Sequence, residues 1–368
     1  MAVIGLDARK YNDYGIGTYI RNLVLQYPSL RPFDRYLLFV APGDGEVGAG
    51  VGAIEHSAVR YGKYSAGEFF LFGRRINASG VSVFHSPHYT LPYGIRPASV
   101  VTVHDLIHLK FREYYSSLQR SYSYAMVRHA IKASAFVITD SEATRRDLLE
   151  LFRADEKKIV TIHLGVSGIF RRDCTKVRVE QFCAKYAVRP RYILFVGNTK
   201  PHKGLDILLK SFKDLVQKKK DLDLVLVGGS IPPDSVIGRM IEGLGLATKV
   251  RSLGRISDEE VFAAYHGAEM LLLPSRYEGF GLTALEAMAS GTPAIVSDAG
   301  SLPEVVGDAA IICPSGDTGA FTEAISSLES DGALRRTMIE RGLNRAKMFD
   351  WNETARKTLE VYDNALNR

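Results

Sequence analysis

Short apolar runs alternate along this chain with longer stretches in which apolar positions return every three or four residues. The runs at 2–6, 36–41, 81–85, 99–103, 136–139 and 159–163 read as strands. The periodic stretches between them read as helices. One runs to about Tyr27, one spans 64–76 with Phe69, Phe70 and Phe72, and a tyrosine-rich one spans 112–133. Another reaches Phe152, with Ser141 placed as its N-cap. From 170 to 190 the chain turns polar and charged, and no strand pattern survives. The alternation then restarts, with strands expected at 192–196, 224–227, 249–253, 270–273, 294–297 and 310–313. Helices are expected to about Gln217, after Ser257 with Glu260 completing a capping box, and from Leu282 to a C-terminal cap at Gly291. A short helix with Pro303 near its start, two further helices and an amphipathic tail over 351–366 complete the pattern.

Strand and helix alternating through both halves predict an α/β protein: two doubly wound parallel-sheet, Rossmann-like domains facing each other across a cleft. The boundaries expected are 1–171 and 172–351, with the tail 352–368 returning to the first domain.

At 368 residues the chain is long for one hydrophobic core. Its 47 basic and 41 acidic side chains leave a formal charge of +6. That mild, dispersed excess admits anionic substrates or a membrane surface and argues against nucleic acid. Cys174, Cys183 and Cys313 are odd in number and lie in no metal spacing, which points to a reducing, cytoplasmic setting without a zinc site. No apolar run approaches membrane-spanning length. The aromatics of 64–76 beside Arg74 and Arg75 leave peripheral contact with the inner membrane face as a second reading beside ordinary packing.

The candidate chemistry centres on PSRYEGFGLTALEAMASG, residues 274–291. A strand, a loop with Gly279 and Gly281, and a helix present amide N–H groups to an anion. Glu278 lies before that helix and Glu286 about one turn inside it. Carboxylates repel phosphate and accept from hydroxyls, so phosphate flanked by hydroxyls describes a nucleotide sugar. The competing reading makes Glu278 a partner of the helix field and Glu286 the partner of an arginine. Lys203, in GNTKPHKG, also stands at a helix N-terminus, where a cation is unfavourable unless an anion neutralises it. Gly15 and Gly17 read either as a second glycine loop feeding a helix or as a plain tight turn. Residues 43–48 match the dinucleotide pattern, but the glycine-rich stretch after them opens no helix, so a surface loop is the reading. His85, His88, His104 and His108, with Asp105, gather at the carboxyl ends of two strands. They suit hydrogen bonding to a sugar better than a metal.

These strings resemble glycosyltransferase family 4, retaining enzymes of the GT-B fold. Glu278 and Glu286 match the family's pair of glutamates separated by seven residues. LGRISDEEV, GTPAIVSDAGSLPEVV, GIGTYI and VVTVHDL extend the likeness over nearly the whole chain. The resemblance implies a nucleoside diphosphate sugar bound by the second domain. Lys203 would meet the diphosphate, Glu286 the ribose, Glu278 the sugar hydroxyls, and the backbone of Phe280, Gly281 and Leu282 the phosphate. Arg255 and Ile256 would line the base, with Gly228 and Asn198 beside the donor. Gly15 and Gly17 would approach the donor from the first domain, and His104 would contact the sugar near its reacting carbon. His85, His88 and Asp105 fall on the acceptor side.

Relatives often carry arginine where Asn198 stands, so Lys200 becomes the candidate replacement charge. They also often carry Asn-Gly and a following Asp where this chain has Leu164-Gly165-Val166-Ser167. The implied reaction is metal-independent, cofactor-free transfer of a hexose, mannose from GDP-mannose first, to a glycan or lipid-linked acceptor. Rival readings are a sugar-nucleotide epimerase, a sugar phosphorylase and a non-catalytic nucleotide-sugar-binding protein.

Overall fold

Every apolar run read from the sequence is a strand, and all pair in parallel. A computed structural model describes residues 2–44, 47–48, 54–62, 65–218 and 222–368. The chain divides into two units, Met1–Gly165 with Asp350–Arg368, and Val166–Phe349.

The first unit holds β1 (Val3–Asp7), β2 (Arg35–Val40), β3 (Ile54–Ala58), β4 (Val83–Ser86), β5 (Ala98–Val103), β6 (Phe136–Thr139) and β7 (Ile159–Thr161). They form a 7-stranded sheet in the order β3-β2-β1-β4-β5-β6-β7. Central strands are buried on both faces, which is why they read as continuous apolar runs. Phe39, Phe72 and Phe84 meet edge to face at 5.3–5.9 Å in its core. The tail helix Trp351–Leu366 belongs to this unit. Its Tyr362 hydroxyl lies 2.7 Å from that of Tyr27, and Thr354 donates to the His163 carbonyl at 2.8 Å.

The second unit holds β8 (Tyr192–Gly197), β9 (Asp223–Gly228), β10 (Val250–Gly254), β11 (Met270–Leu273), β12 (Ala294–Ser297) and β13 (Ile311–Cys313). Its 6-stranded sheet has the order β10-β9-β8-β11-β12-β13. Tyr192, Phe195, Phe212 and Phe262 fill its core.

Some elements depart from the sequence reading. β3 is an edge strand, its Glu55 and His56 exposed, so it carries no apolar run to find. Of the stretch 64–76, residue 64 lies outside the described residues and the rest holds two short helices, Ala66–Phe70 and Phe72–Ala78, with Phe69 and Phe72 buried and Phe70 and Leu71 exposed. The stretch 112–133 breaks into a 3-10 turn, Arg112–Tyr114, and a helix, Ser117–Ala133, because Ser116 and Gln119 form a capping box. Lys176–Tyr186 is a helix inside the polar stretch. Of the glycine-rich loop, residues 45–46 and 49–53 lie outside the described residues. No helix is long and apolar enough to cross a membrane, among the described residues. None of the three cysteines is in a disulfide.

Candidate functional site

In the second unit the strand order reverses between β8 and β11, which pair directly. The crevice at such a reversal, beyond the carboxyl ends of the strands, is where open α/β sheets take ligands. The loops leaving those two strands carry Lys203 and Glu278.

The loop after β8 turns through Asn198, whose side chain accepts from the Lys200 amide at 3.1 Å, and then through a 3-10 turn, Pro201–Lys203. Gly204 follows at φ 68° and starts the helix Leu205–Gln217. A Cβ on Gly204 would lie 2.0 Å from the Pro274 carbonyl oxygen. Glycine there lets the two loops close on each other. Arg276 fastens them. Its amide donates to the His202 carbonyl at 2.6 Å, and its guanidinium reaches the Pro201 carbonyl at 3.1 Å and both Asp206 oxygens at 2.7 Å. Burial works against the Asp206 carboxylate, but Arg276 outweighs it and lowers the pKa.

That closure brings Lys203 Nζ to 2.7 and 2.9 Å from the two carboxylate oxygens of Glu278. Ser275 Oγ donates to the same carboxylate at 2.6 Å. Glu278 is 9% exposed, so its charge depends on those donors. From the far side, Ser301 Oγ lies 3.1 and 2.6 Å from the carbonyls of Glu278 and Phe280. The Phe280 ring is buried against Phe349, so only its backbone faces the turn. Gly281, at φ 105°, caps the helix Leu282–Ala289. The amides of Leu282 and Thr283 lie in its first turn, where no intrahelical acceptor exists. One turn on, the partly buried Glu286 takes the Tyr265 hydroxyl on Oε2 at 3.0 Å. Burial pushes the Glu286 carboxyl up to about 8; Tyr265 opposes that rise and Asp258 adds to it.

A cation, a row of helix-head amides and two carboxylates thus share one corner of one unit. The cation and amides suit a diphosphate, and the carboxylates suit hydroxyls.

In the first unit the reversal falls between β1 and β4. After β5, His104 Nδ1 lies 2.6 Å from Asp140 Oδ2, and Nε2 lies 3.0 Å from the Pro87 carbonyl. Burial opposes a charge on this ring, yet Asp140, Pro87 and Asp105 outweigh it and raise the pKa. A carboxylate on one side and a carbonyl on the other satisfy an imidazolium. The Tyr19 ring meets His104 edge-on at 5.1 Å. Asp105 accepts the Ile107 amide at 3.1 Å, and His88 lies against Tyr89 at 4.0 Å between ring centres.

Two family models match the chain: Glycosyltransferase Family 4 over residues 14–167 and Glycosyl transferases group 1 over residues 181–345. The chain is 30% identical over 284 residues to O-antigen chain mannosyltransferase B of Escherichia coli, covering 76% of this chain and 74% of that protein. The chain belongs to the family 4 glycosyltransferases. It is also 33% identical over 237 residues to the MMP alpha-(1->4)-mannosyltransferase of Mycolicibacterium hassiacum, covering 63% of this chain but 54% of that protein. The fold is GT-B. Sucrose-phosphate synthase from Thermosynechococcus elongatus superposes with a TM-score of 0.79 at 22% identity, covering 99% of each chain. WaaG, a glycosyltransferase involved in lipopolysaccharide biosynthesis, superposes at 0.77 and 15% identity, covering 98% of this chain and 99% of that one.

Within this family 4 chain the structure brings Lys203, Glu278, Gly281, Leu282 and Glu286 together. Asn198 lies on the Lys203 loop, and Lys200 beside it is exposed. Arg255, exposed, and Ile256 follow the edge strand β10.

Four residues take structural roles in the fold that the sequence did not show. His85 is fully buried, with Nδ1 2.6 Å from the Tyr362 hydroxyl and Nε2 2.8 Å from Thr102 Oγ1, so it serves the core and not the acceptor side. Gly15 and Gly17 lie inside the first turn of the helix Tyr14–Leu30, not in a loop before it. Gly17 is glycine because a Cβ would lie 2.3 Å from the Tyr11 carbonyl oxygen. Gly228, at φ 117°, likewise lets β9 end against the Gly197 carbonyl, 2.4 Å from where a Cβ would stand.

The sequence reading missed Ser275, Arg276, Ser301, Tyr265 and Asp140. Ser275 and Arg276 sat inside the motif already singled out; Asp140, at the end of β6, carried the same strand-end signal as His104.

Proposed function

We propose that this chain is a retaining hexosyltransferase that moves mannose from GDP-mannose to a glycan or lipid-linked acceptor without a metal. The observation that carries the reading is the Lys203–Glu278 pair at the strand-order reversal, beside the first turn of Leu282–Ala289. Departure of the diphosphate puts negative charge where Lys203 and the Leu282 and Thr283 amides stand, and groups already oriented there stabilise it without reorganising. Glu278 then accepts from sugar hydroxyls and Glu286 from the ribose. His104 serves as a fixed imidazolium rather than as a base, since both its nitrogens are engaged. Mannose as first choice is supported by the two mannosyltransferase relatives, and a carbohydrate acceptor by the O-antigen one.

The test begins with thermal shifts against GDP, UDP, ADP and their sugars. GDP-mannose with a mannose-bearing acceptor is then followed by NMR, with and without EDTA. The expected result is stabilisation by GDP and an axial-linked product in both conditions. An inverted product, or turnover abolished by EDTA and restored by a divalent ion, overturns the corresponding part.

A further inference from the structure

The Glu286 carboxylate is held by a residue that no strand-end or glycine signal marks. Tyr265, on the helix Asp258–Gly267, is fully buried. Its hydroxyl lies 3.0 Å from Glu286 Oε2 and 3.3 Å from the Thr283 carbonyl. We propose that Tyr265 is a positioning residue for nucleotide recognition, orienting the Glu286 carboxylate toward the ribose hydroxyls of the donor. The inference rests on the reading that Glu286 meets the ribose.

A tyrosine hydroxyl has one proton to give. Both neighbours are acceptors, and a carboxylate takes the stronger, charge-assisted bond. That bond engages Oε2 and leaves Oε1 outside it, available to vicinal hydroxyls. Tyr265 is itself anchored at both ends. Its carbonyl accepts from Thr292 Oγ1 at 2.6 Å, and its ring packs edge-on against Phe170 at 5.6 Å. A glutamate without such a tether spreads over several rotamers, and ordering it on binding costs affinity. The neighbours of Glu286 on its helix, Ala284, Leu285, Ala287 and Met288, are buried, so Tyr265 acts on the helix's one charged side chain.

The role separates from mere packing because it concerns the ribose and not the base or phosphates. Binding of GDP and 2′-deoxy-GDP is measured by calorimetry at pH 9, where Glu286 is ionised, on the 368-residue wild type and Tyr265→Phe, with melting curves for both. Wild type is expected to prefer GDP by about tenfold or more, the worth of a hydrogen bond to a charged group. Tyr265→Phe should bring the two affinities within about threefold, the loss falling on GDP. A variant that weakens both nucleotides equally and keeps the wild-type ratio overturns the proposal. Equal affinities in wild type would overturn the ribose role of Glu286 itself. If Tyr265→Phe does not fold, 3-fluorotyrosine placed at 265 keeps the shape and gives a stronger donor. The preference for GDP should then rise, and an unchanged ratio overturns the proposal.

Discussion

Lys203 and Glu278, far apart in sequence, form a two-pronged ion pair with Nζ 2.7 and 2.9 Å from the carboxylate oxygens. Each neutralises the charge that makes the other costly in a partly enclosed site. The Gly204–Pro274 contact and the Arg276 clamp build that distance.

Opposite effects on binding and turnover follow at this pair. Glu278→Gln removes the carboxylate that competes with a diphosphate for Lys203, so calorimetry should show tighter GDP binding. Turnover should nevertheless fall, because the sugar hydroxyls exchange a charged acceptor for a neutral one. Lys203→Ala should lower turnover by about 10²–10³-fold, the usual cost of removing one group that meets developing charge. Near-native turnover in the folded variants would refute these roles.

Glu286 should make GDP binding pH-dependent. Its carboxyl, raised to about 8 with Tyr265 and Asp258 facing it, is a better acceptor once ionised. Affinity should therefore increase by up to about tenfold from pH 7 to 9, and that part should vanish in Glu286→Gln. The stability sign is opposite to that of a salt-bridged acid. The folded state keeps a proton that the unfolded chain loses above its ordinary value of 4.5, so wild type loses stability as pH rises toward about 8. The melting temperature of Glu286→Gln should exceed that of wild type increasingly across this window and match it near pH 4.

Asp140→Asn should lower the pKa of His104, read from the imidazole resonances in an NMR titration. The raised pKa means the pair stabilises the fold fully below the ordinary histidine value of 6.5 and loses that contribution as pH rises through the raised one. Melting curves should show this pH dependence in wild type and a flatter one in Asp140→Asn.

His85→Ala should cost about 2–4 kcal/mol of stability, since it opens a cavity and takes one of two partners from each of the Tyr362 and Thr102 hydroxyls. GDP affinity should stay at the wild-type value in the folded protein. Burial holds the ring neutral, its pKa lowered to about 3, while the unfolded chain takes up a proton below the ordinary value of 6.5, so the cost should be full near pH 8 and shrink as pH falls toward 5.

Much of this protein was legible in one dimension. Strands buried on both faces announce themselves as apolar runs, and the positions of Ser141, Ser257 and Gly291 mark helix ends through local chemistry. The Glu278–Glu286 string was legible because a helix head with its flanking carboxylates is a short-range arrangement. What the sequence could not decide were relations across the sheet. β3 pairs along one edge only and needs no apolar run. His85 and His104 are both histidines near strand ends and both meet Tyr19, yet one is enclosed by Tyr362 and Thr102 and the other pairs with Asp140, because those partners come from elements distant in sequence. Gly17 and Gly228 looked like ligand-facing glycines and are spacers between backbones. The approach of Lys203 to Glu278 likewise exists only once β8 and β11 lie side by side, since pairing in a parallel sheet joins segments that no local pattern connects.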